Sequence, residues 1–190
     1  MFAFVLVDRE RQLLVAARDA FGIKPMYYAQ GQDGFRFASE LPALRALRTD
    51  GYPLNWQRTY DYLVHGEYDF GDDTFSEGVR SLAPGHLLTL DLRPGAVPQL
   101  KEWWSPRTEQ SIHLSFEEAA LELRRILLDN VRMHLRSDVQ LGAALSGGLD
   151  SSTIVCAMRH LEPDADIDTF SFIAAGTSVS EERWVDRVNR

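Results

Sequence analysis

The sequence predicts two sheet architectures in one chain: an antiparallel α+β part over residues 1–107 and a parallel α/β part over residues 108–190. Three observations predict them. The first half is a series of short apolar runs cut by turn residues, as in hairpin-rich folds. Residues 93–110 then gather Pro94, Gly95, Pro98 and Pro106 with the pair Trp103-Trp104, a composition suited to a crossing between domains. Beyond it, helical and strand periods alternate, which is how a βαβ unit reads.

The elements follow in order. Residues 2–7 and 13–17 are apolar runs flanking the polar cluster Asp8-Arg9-Glu10-Arg11-Gln12, and are expected to be two buried strands joined by a turn. A third strand is expected over 26–29, a turn over 31–34 and a fourth strand with alternating faces over 35–38. Short helices and coil are expected around 56–65, and an extended segment over 84–92. In the second half, Ser115 and Glu118 form the sequence pattern of a capping box. Phe116, Ala120, Leu123, Leu127 and Val131 follow at helical spacing. A strand is expected over 139–145, a helix over 151–160, a second strand over 168–174 and a charged helix over 181–190, the two strands being parallel with a right-handed crossover.

Composition excludes several function classes. The chain has 190 residues, 45% hydrophobic and 25% charged, with a formal net charge of −8. An acidic chain is poorly suited to general nucleic-acid binding, which favours a basic face. No run approaches the roughly 20 apolar residues that span a bilayer. The single cysteine, Cys156, excludes an internal disulfide framework, and residues 1–8 read as a strand without the basic front of a signal peptide. A cytoplasmic setting is the expectation.

The chemistry is concentrated in Ser146-Gly147-Gly148-Leu149-Asp150-Ser151-Ser152, between an expected strand and an expected helix. That junction is where open α/β sheets bind phosphates. Gly147 and Gly148 let the backbone turn sharply and approach an anion. Their amides and those of the helix start can donate to phosphate oxygens, and Ser146, Ser151 and Ser152 add hydroxyls. Asp150 beside a phosphate is repulsive unless a cation lies between them. It is therefore assigned to Mg²⁺, which is commonly held by carboxylates together with substrate phosphates. A Walker loop requires a lysine that is missing here. A dinucleotide fingerprint and a nucleophile elbow do not fit this turn either.

The same loop resembles the pyrophosphate-binding loop of the ATP pyrophosphatases. Three further blocks narrow the likeness: residues 18–28, beginning Arg18-Asp19 and containing Gly22-Ile23-Lys24-Pro25; Phe37-Ala38-Ser39-Glu40; and Leu82-Ala83-Pro84-Gly85-His86. Together they resemble the glutamine-hydrolysing asparagine synthetase family over essentially the whole chain. The resemblance implies the rear of an N-terminal-nucleophile glutaminase sandwich (residues 1–107), then the start of an ATP pyrophosphatase domain of the adenine nucleotide alpha hydrolase-like type (108–190). It implies a ligase that uses ATP and Mg²⁺, with aspartate and glutamine or ammonia as small-molecule substrates, and it admits a homodimer. Carried over, residues 146–152 bind pyrophosphate, and Leu145 and Phe172 lie along the nucleotide through their backbones. Relatives that close β-lactam or peptide rings use the same loop, and a non-catalytic ATP-binding remnant is a third reading.

No catalytic residue is identifiable in this chain. The family's glutaminase nucleophile is an N-terminal cysteine, and position 2 here is Phe2, so the nucleophile is expected upstream. Cys156, on an apolar helix, is expected to be a small buried residue. The family's synthetase lysine is expected downstream, since Lys24 and Lys101 both lie in the first half. Losing one such electrostatic donor typically costs about two to three decades in rate, so little synthetase activity is expected of the chain alone. His65, His86, His113, His134 and His160 lack metal-ligand spacing. Asp69 to Asp73 lacks the spacing of a calcium loop. Glu181-Glu182 is expected to open the last helix, with only a weak link to magnesium. Trp103-Trp104 is expected to pack between domains.

Overall fold

A computed structural model of the chain describes residues 1–31, 34–48, 50–68, 71–109, 111 and 113–189. The chain divides into two compact units, Met1–Gln110 and Ser111–Arg190.

The first unit is built on two antiparallel sheets. One has the order β1 (Ala3–Asp8), β2 (Leu13–Arg18), β6 (His86–Asp91), β7 (Gln99–Glu102); the other has the order β4 (Gly34–Ala38), β3 (Tyr27–Gly31), β5 (Val79–Ser81). Alternation along the strands explains the core. Leu14 and Ala16 of β2 and Leu88 and Leu90 of β6 face inward and meet Met26, Tyr28 and Leu82, so residues of both sheets share one cluster. Helix α1 (Leu41–Ala46) seats Leu44 against Ala29 and Val79 on β3 and β5. Helix α2 (Trp56–His65) begins where Asn55 accepts from the Arg58 amide and ends at Gly66 in the left-handed region.

Several expectations are corrected here. Residues 2–7 do not form a buried strand: β1 is an edge strand with one neighbour, and Phe4 and Leu6 on its outer side are exposed. A single helix, α2, replaces coil and short helices at 56–65. The expected turn at 31–34 includes Gln32 and Asp33, which lie outside the described residues, as do Asp69 and Phe70 of the acidic stretch. The 93–110 crossing contains strand β7, paired along β6 from His86–Glu102 to Thr89–Gln99. That pairing delivers the tryptophans into the first unit. Trp103 stacks on Phe2 at 6.0 Å and donates from Nε1 to the Arg18 carbonyl at 3.2 Å, while Trp104 meets Phe21 edge-on at 5.0 Å.

In the second unit, strands β8 (Gly142–Ala144) and β9 (Asp168–Phe170) pair in parallel, in register Gly142–Asp168 to Ala144–Phe170. Helix α4 (Leu149–Leu161) connects them. Helix α3 (Phe116–His134) carries the complete capping box, with Ser115 Oγ accepting from the Glu118 amide at 3.2 Å and Glu118 accepting from the Ser115 amide at 2.9 Å. Helix α5 (Glu182–Val188) follows. Helix α3 packs on α4 through Val131, Ala157 and Met158; α5 packs on α4 through Val185 and Val155, with Leu145 at the end of β8 in the same cluster. Both strands are shorter than expected, because each finds only the other's three residues to pair with, and Val139 is left 75% exposed. Cys156 is exposed rather than buried. The neighbouring helices take the Val155 and Ala157–Met158 faces of α4, and Cys156 shares the open stripe with Arg159. No helix among the described residues is long and apolar enough to cross a membrane.

Candidate functional site

The candidate site begins where β8 runs out. Leu145 is 1% exposed, donating its amide to the Phe170 carbonyl at 2.9 Å and accepting the Ser171 hydroxyl at 2.6 Å. These two bonds hold the C-terminal ends of β8 and β9 together, the edge at which parallel sheets bind ligands. They also bring residue 172 beside Leu145. Phe172 itself lies beyond the end of β9 with its side chain 90% exposed.

The chain then bends. Gly147 takes φ 78, a left-handed conformation that suits glycine. A Cβ at this position would stand 2.6 Å from Trp184 Cβ, so the start of α5 packs directly on the bend. Gly148 is the N-cap of α4, and no side chain caps the helix there. Ser146 Oγ fills part of that role by accepting from the Gly148 amide at 3.3 Å, and it pairs with Ser151 Oγ at 3.0 Å. Ser151 Oγ also accepts from the Ser146 amide at 3.2 Å. Ser152 closes the first turn, donating its amide to the Gly148 carbonyl at 3.1 Å, and its hydroxyl oxygen is buried without a partner.

What remains open is a set of donors. Among the described residues, the amides of Gly147, Leu149, Asp150 and Ser151 donate to no protein acceptor. Three of these are the orphan amides of a helix start, which carries a partial positive charge. Asp150 is exposed in the first turn and makes no hydrogen bond or ion pair with a described residue. No three His, Cys, Asp or Glu residues among the described ones group as a metal cluster, so the loop offers one carboxylate to a cation. This donor set suits an anion accompanied by a cation that takes its other ligands elsewhere. Residues 145–152 and 172 therefore come together at one sheet edge. The contact of Trp184 with Gly147 was invisible in the sequence, since no local pattern ties a tryptophan in α5 to a glycine before α4.

A second turn, in the first unit, also gathers backbone amides. Asp19 is 4% exposed, and its carboxylate accepts from four backbone amides: Phe21 at 3.2 Å, Ile23 at 2.9 Å, Lys24 at 3.0 Å and Phe2 at 3.1 Å. Burial pushes this carboxyl up, but the hydrogen bonds from Lys24, Ile23, Phe2 and Phe21 outweigh it and hold the group at about 2, against an ordinary 3.8. Arg18 braces the same turn, donating to the carbonyls of Lys24, Gly22 and Leu82 and to Ser81 Oγ at 2.7–3.0 Å. Gly85 accepts the amides of Trp103 and Trp104, and a Cβ there would run into the Trp104 carbonyl. The quoted blocks at 18–28 and 82–86 thus form one scaffold. The Asp-x-x-Gly spacing was the available signal, because Asp side chains bond amides a few residues ahead in turns.

These geometries define a class: a mixed α/β protein in which a unit of two antiparallel sheets is followed by a unit with a parallel strand pair and a strand-to-helix loop. Residues 1–104 match the glutamine amidotransferase domain, and residues 122–190 match asparagine synthase. The chain belongs to the glutamine-hydrolysing asparagine synthetase family. It is 32% identical over 171 residues to asparagine synthetase [glutamine-hydrolyzing] 1 of Bacillus subtilis, covering 90% of this chain and 26% of that protein. It is 30% identical over 177 residues to putative asparagine synthetase [glutamine-hydrolyzing] 2 of Methanocaldococcus jannaschii, covering 90% of this chain and 33% of that protein. It is 36% identical over 164 residues to amidase chyE of Penicillium rubens, covering 84% of this chain and 23% of that protein. The chain spans about a quarter to a third of the length of these relatives.

Proposed function

We propose that the chain is part of an ATP-dependent amide-forming ligase of the asparagine synthase type. In the whole reaction, aspartate, glutamine and ATP give asparagine, glutamate, AMP and pyrophosphate. Residues 1–107 are then part of a class II glutaminase of the N-terminal-nucleophile type. Residues 108–190 are the front of an ATP pyrophosphatase domain working on small molecules in the cytoplasm. The observation that carries this reading is the set of amides at Gly147, Leu149, Asp150 and Ser151 that find no acceptor among the described residues.

In this reading residues 146–151 cradle the phosphates, with Ser152 closing the turn behind them. Leu145 and the backbone at Phe172 flank the nucleotide. Asp150 would hold Mg²⁺, which when bound offsets phosphate charge. The helix start adds its partial positive charge, and the Ser146–Ser151 hydroxyl pair can open to donate outward. A second reading, in which the same frame serves an amidase reaction, is favoured by the P. rubens relative and by amidase chry2 of Gibberella zeae, 35% identical over 163 residues.

Titration calorimetry tests the loop. The chain should bind Mg-ATP, and Asp150→Ala should weaken it about tenfold while narrowing the difference between Mg-ATP and metal-free ATP. Equal affinity in wild type and variant ends the metal assignment. No ATP binding by the wild type ends the loop reading.

A further inference from the structure

We propose that Arg183 is the phosphate-neutralising cation of the 146–152 loop, held ready on the indole face of Trp184. The inference rests on reading that loop as a phosphate site, and supplies what the loop lacks. No lysine or arginine occurs between Arg136 and Arg159. The formal charges nearby are negative: Asp150 in the loop, and Glu181, Glu182 and Asp186 on or beside α5. Neutral amides alone face a triphosphate whose charge a single divalent cation only partly offsets.

The candidate cations separate by geometry. Arg159 sits in the last turn of α4 and already donates to the carbonyls of Pro163 and Ala165 at 2.7 and 2.9 Å. At 1.5 Å per residue it stands roughly 15 Å along the helix from the bend. Arg132 is paired with Asp129 at 2.7 Å. Arg183 differs on both counts. Its neighbour Trp184 packs its Cβ against Gly147 itself, in the space a side chain there would need. The Arg183 guanidinium carbon lies 4.5 Å from the centroid of the Trp184 ring. Trp184 therefore touches the bend with one part and carries the cation with another.

The stack also explains the chemistry. A guanidinium lying on an aromatic face keeps its N–H donors free at its edge, in a planar fork that matches phosphate oxygens. Arg183 makes no ion pair with any described carboxylate, including Asp186 one turn on and the adjacent Glu182. A flexible surface arginine would have to be ordered by the ligand. One held on an indole beside the loop has lost part of that freedom already.

The test compares Mg-ATP, pyrophosphate and adenosine binding to the 190-residue chain and to Arg183→Ala, Arg183→Lys and Gly147→Ala, with thermal melts to confirm folding. Arg183→Ala should weaken Mg-ATP and pyrophosphate about tenfold, leave adenosine unchanged and flatten the salt dependence of binding; Arg183→Lys should recover part of the loss. Unchanged affinities in Arg183→Ala, with binding lost in Gly147→Ala, overturn the assignment of Arg183 and leave the loop reading standing. Equal loss of adenosine and phosphate ligands in Arg183→Ala also overturns it, by assigning the residue a structural role. No Mg-ATP binding by the wild type overturns both.

Discussion

Two turns in this molecule gather backbone amides, and only one of them keeps them for itself. In the first unit, the amides of Phe2, Phe21, Ile23 and Lys24 converge on the buried Asp19 carboxylate. In the second, the amides of Gly147, Leu149, Asp150 and Ser151 find no acceptor among the described residues, and the nearby Asp150 is exposed. Both turns follow a strand and both use a left-handed glycine, Gly22 at φ 64 and Gly147 at φ 78. The difference lies in where the negative charge comes from. An internal carboxylate makes a fixed structural joint, whereas the proposed phosphate loop would take its anion from solution.

The largest expected effect comes from emptying the filled turn. Asp19→Ala leaves four partly buried amides without their acceptor, and should cost about 2–3 kcal/mol, as the loss of a charged hydrogen-bond acceptor does. Chemical denaturation measures it. A cost below about 1 kcal/mol would mean that water replaces the carboxylate, and the contrast with the second turn would disappear. By the same logic, added phosphate or ATP should stabilise the second unit and leave Asp19→Ala unrescued.

The pH profile sharpens the contrast. The folded Asp19 carboxyl titrates at about 2, below its ordinary 3.8. The unfolded chain therefore binds this proton more readily, and stability falls as the proton is taken up. Asp19's contribution should be intact above about pH 4 and disappear as pH drops from 3.8 toward 2. Asp91 is also lowered to about 2, by its hydrogen bonds to Arg93, but it is solvent-exposed and adds little. Asp19→Asn isolates the relevant part: denaturation midpoints between pH 2 and 5 should fall less steeply in the variant. Parallel slopes in the two proteins would remove Asp19 as the source.

The two turns were unequally legible in the sequence. The second is readable as a bend because its residues are local: two glycines, an aspartate and three serines stand between strand and helix, and the structure adds α5 behind Gly147. In the first, Arg18-Asp19 and Gly22 stand together as a block in the sequence, but the Phe2 amide that completes the cage comes from a strand away. Long-range pairing also decides the parts of the fold that local pattern does not show. Strand β7 is a run of four residues among prolines, with no period of its own, and exists through β6. Residues 139–141 carry strand-like character but find no partner on β9. The capping box at Ser115 is fully legible because four consecutive residues, Ser115 to Glu118, contain it. Helical spacing was legible but did not predict burial: Phe116, first of the apolar series, is 83% exposed.

The smallest expected effect lies in the open turn and tests the comparison from its other side. Ser146 Oγ makes two bonds within the loop, to Ser151 Oγ and from the Gly148 amide, and both sit at the exposed surface. Water can take over either one, so Ser146→Ala should change stability by less than about 0.5 kcal/mol. Its effect should appear in binding instead, because in the proposed loop the hydroxyl that now satisfies a neighbour would turn toward a phosphate. A stability loss of about 2 kcal/mol, with Mg-ATP affinity unchanged, would show that the serine pair serves the fold as Asp19 does. The second turn would then be as closed as the first, and its free amides an accident of a helix start.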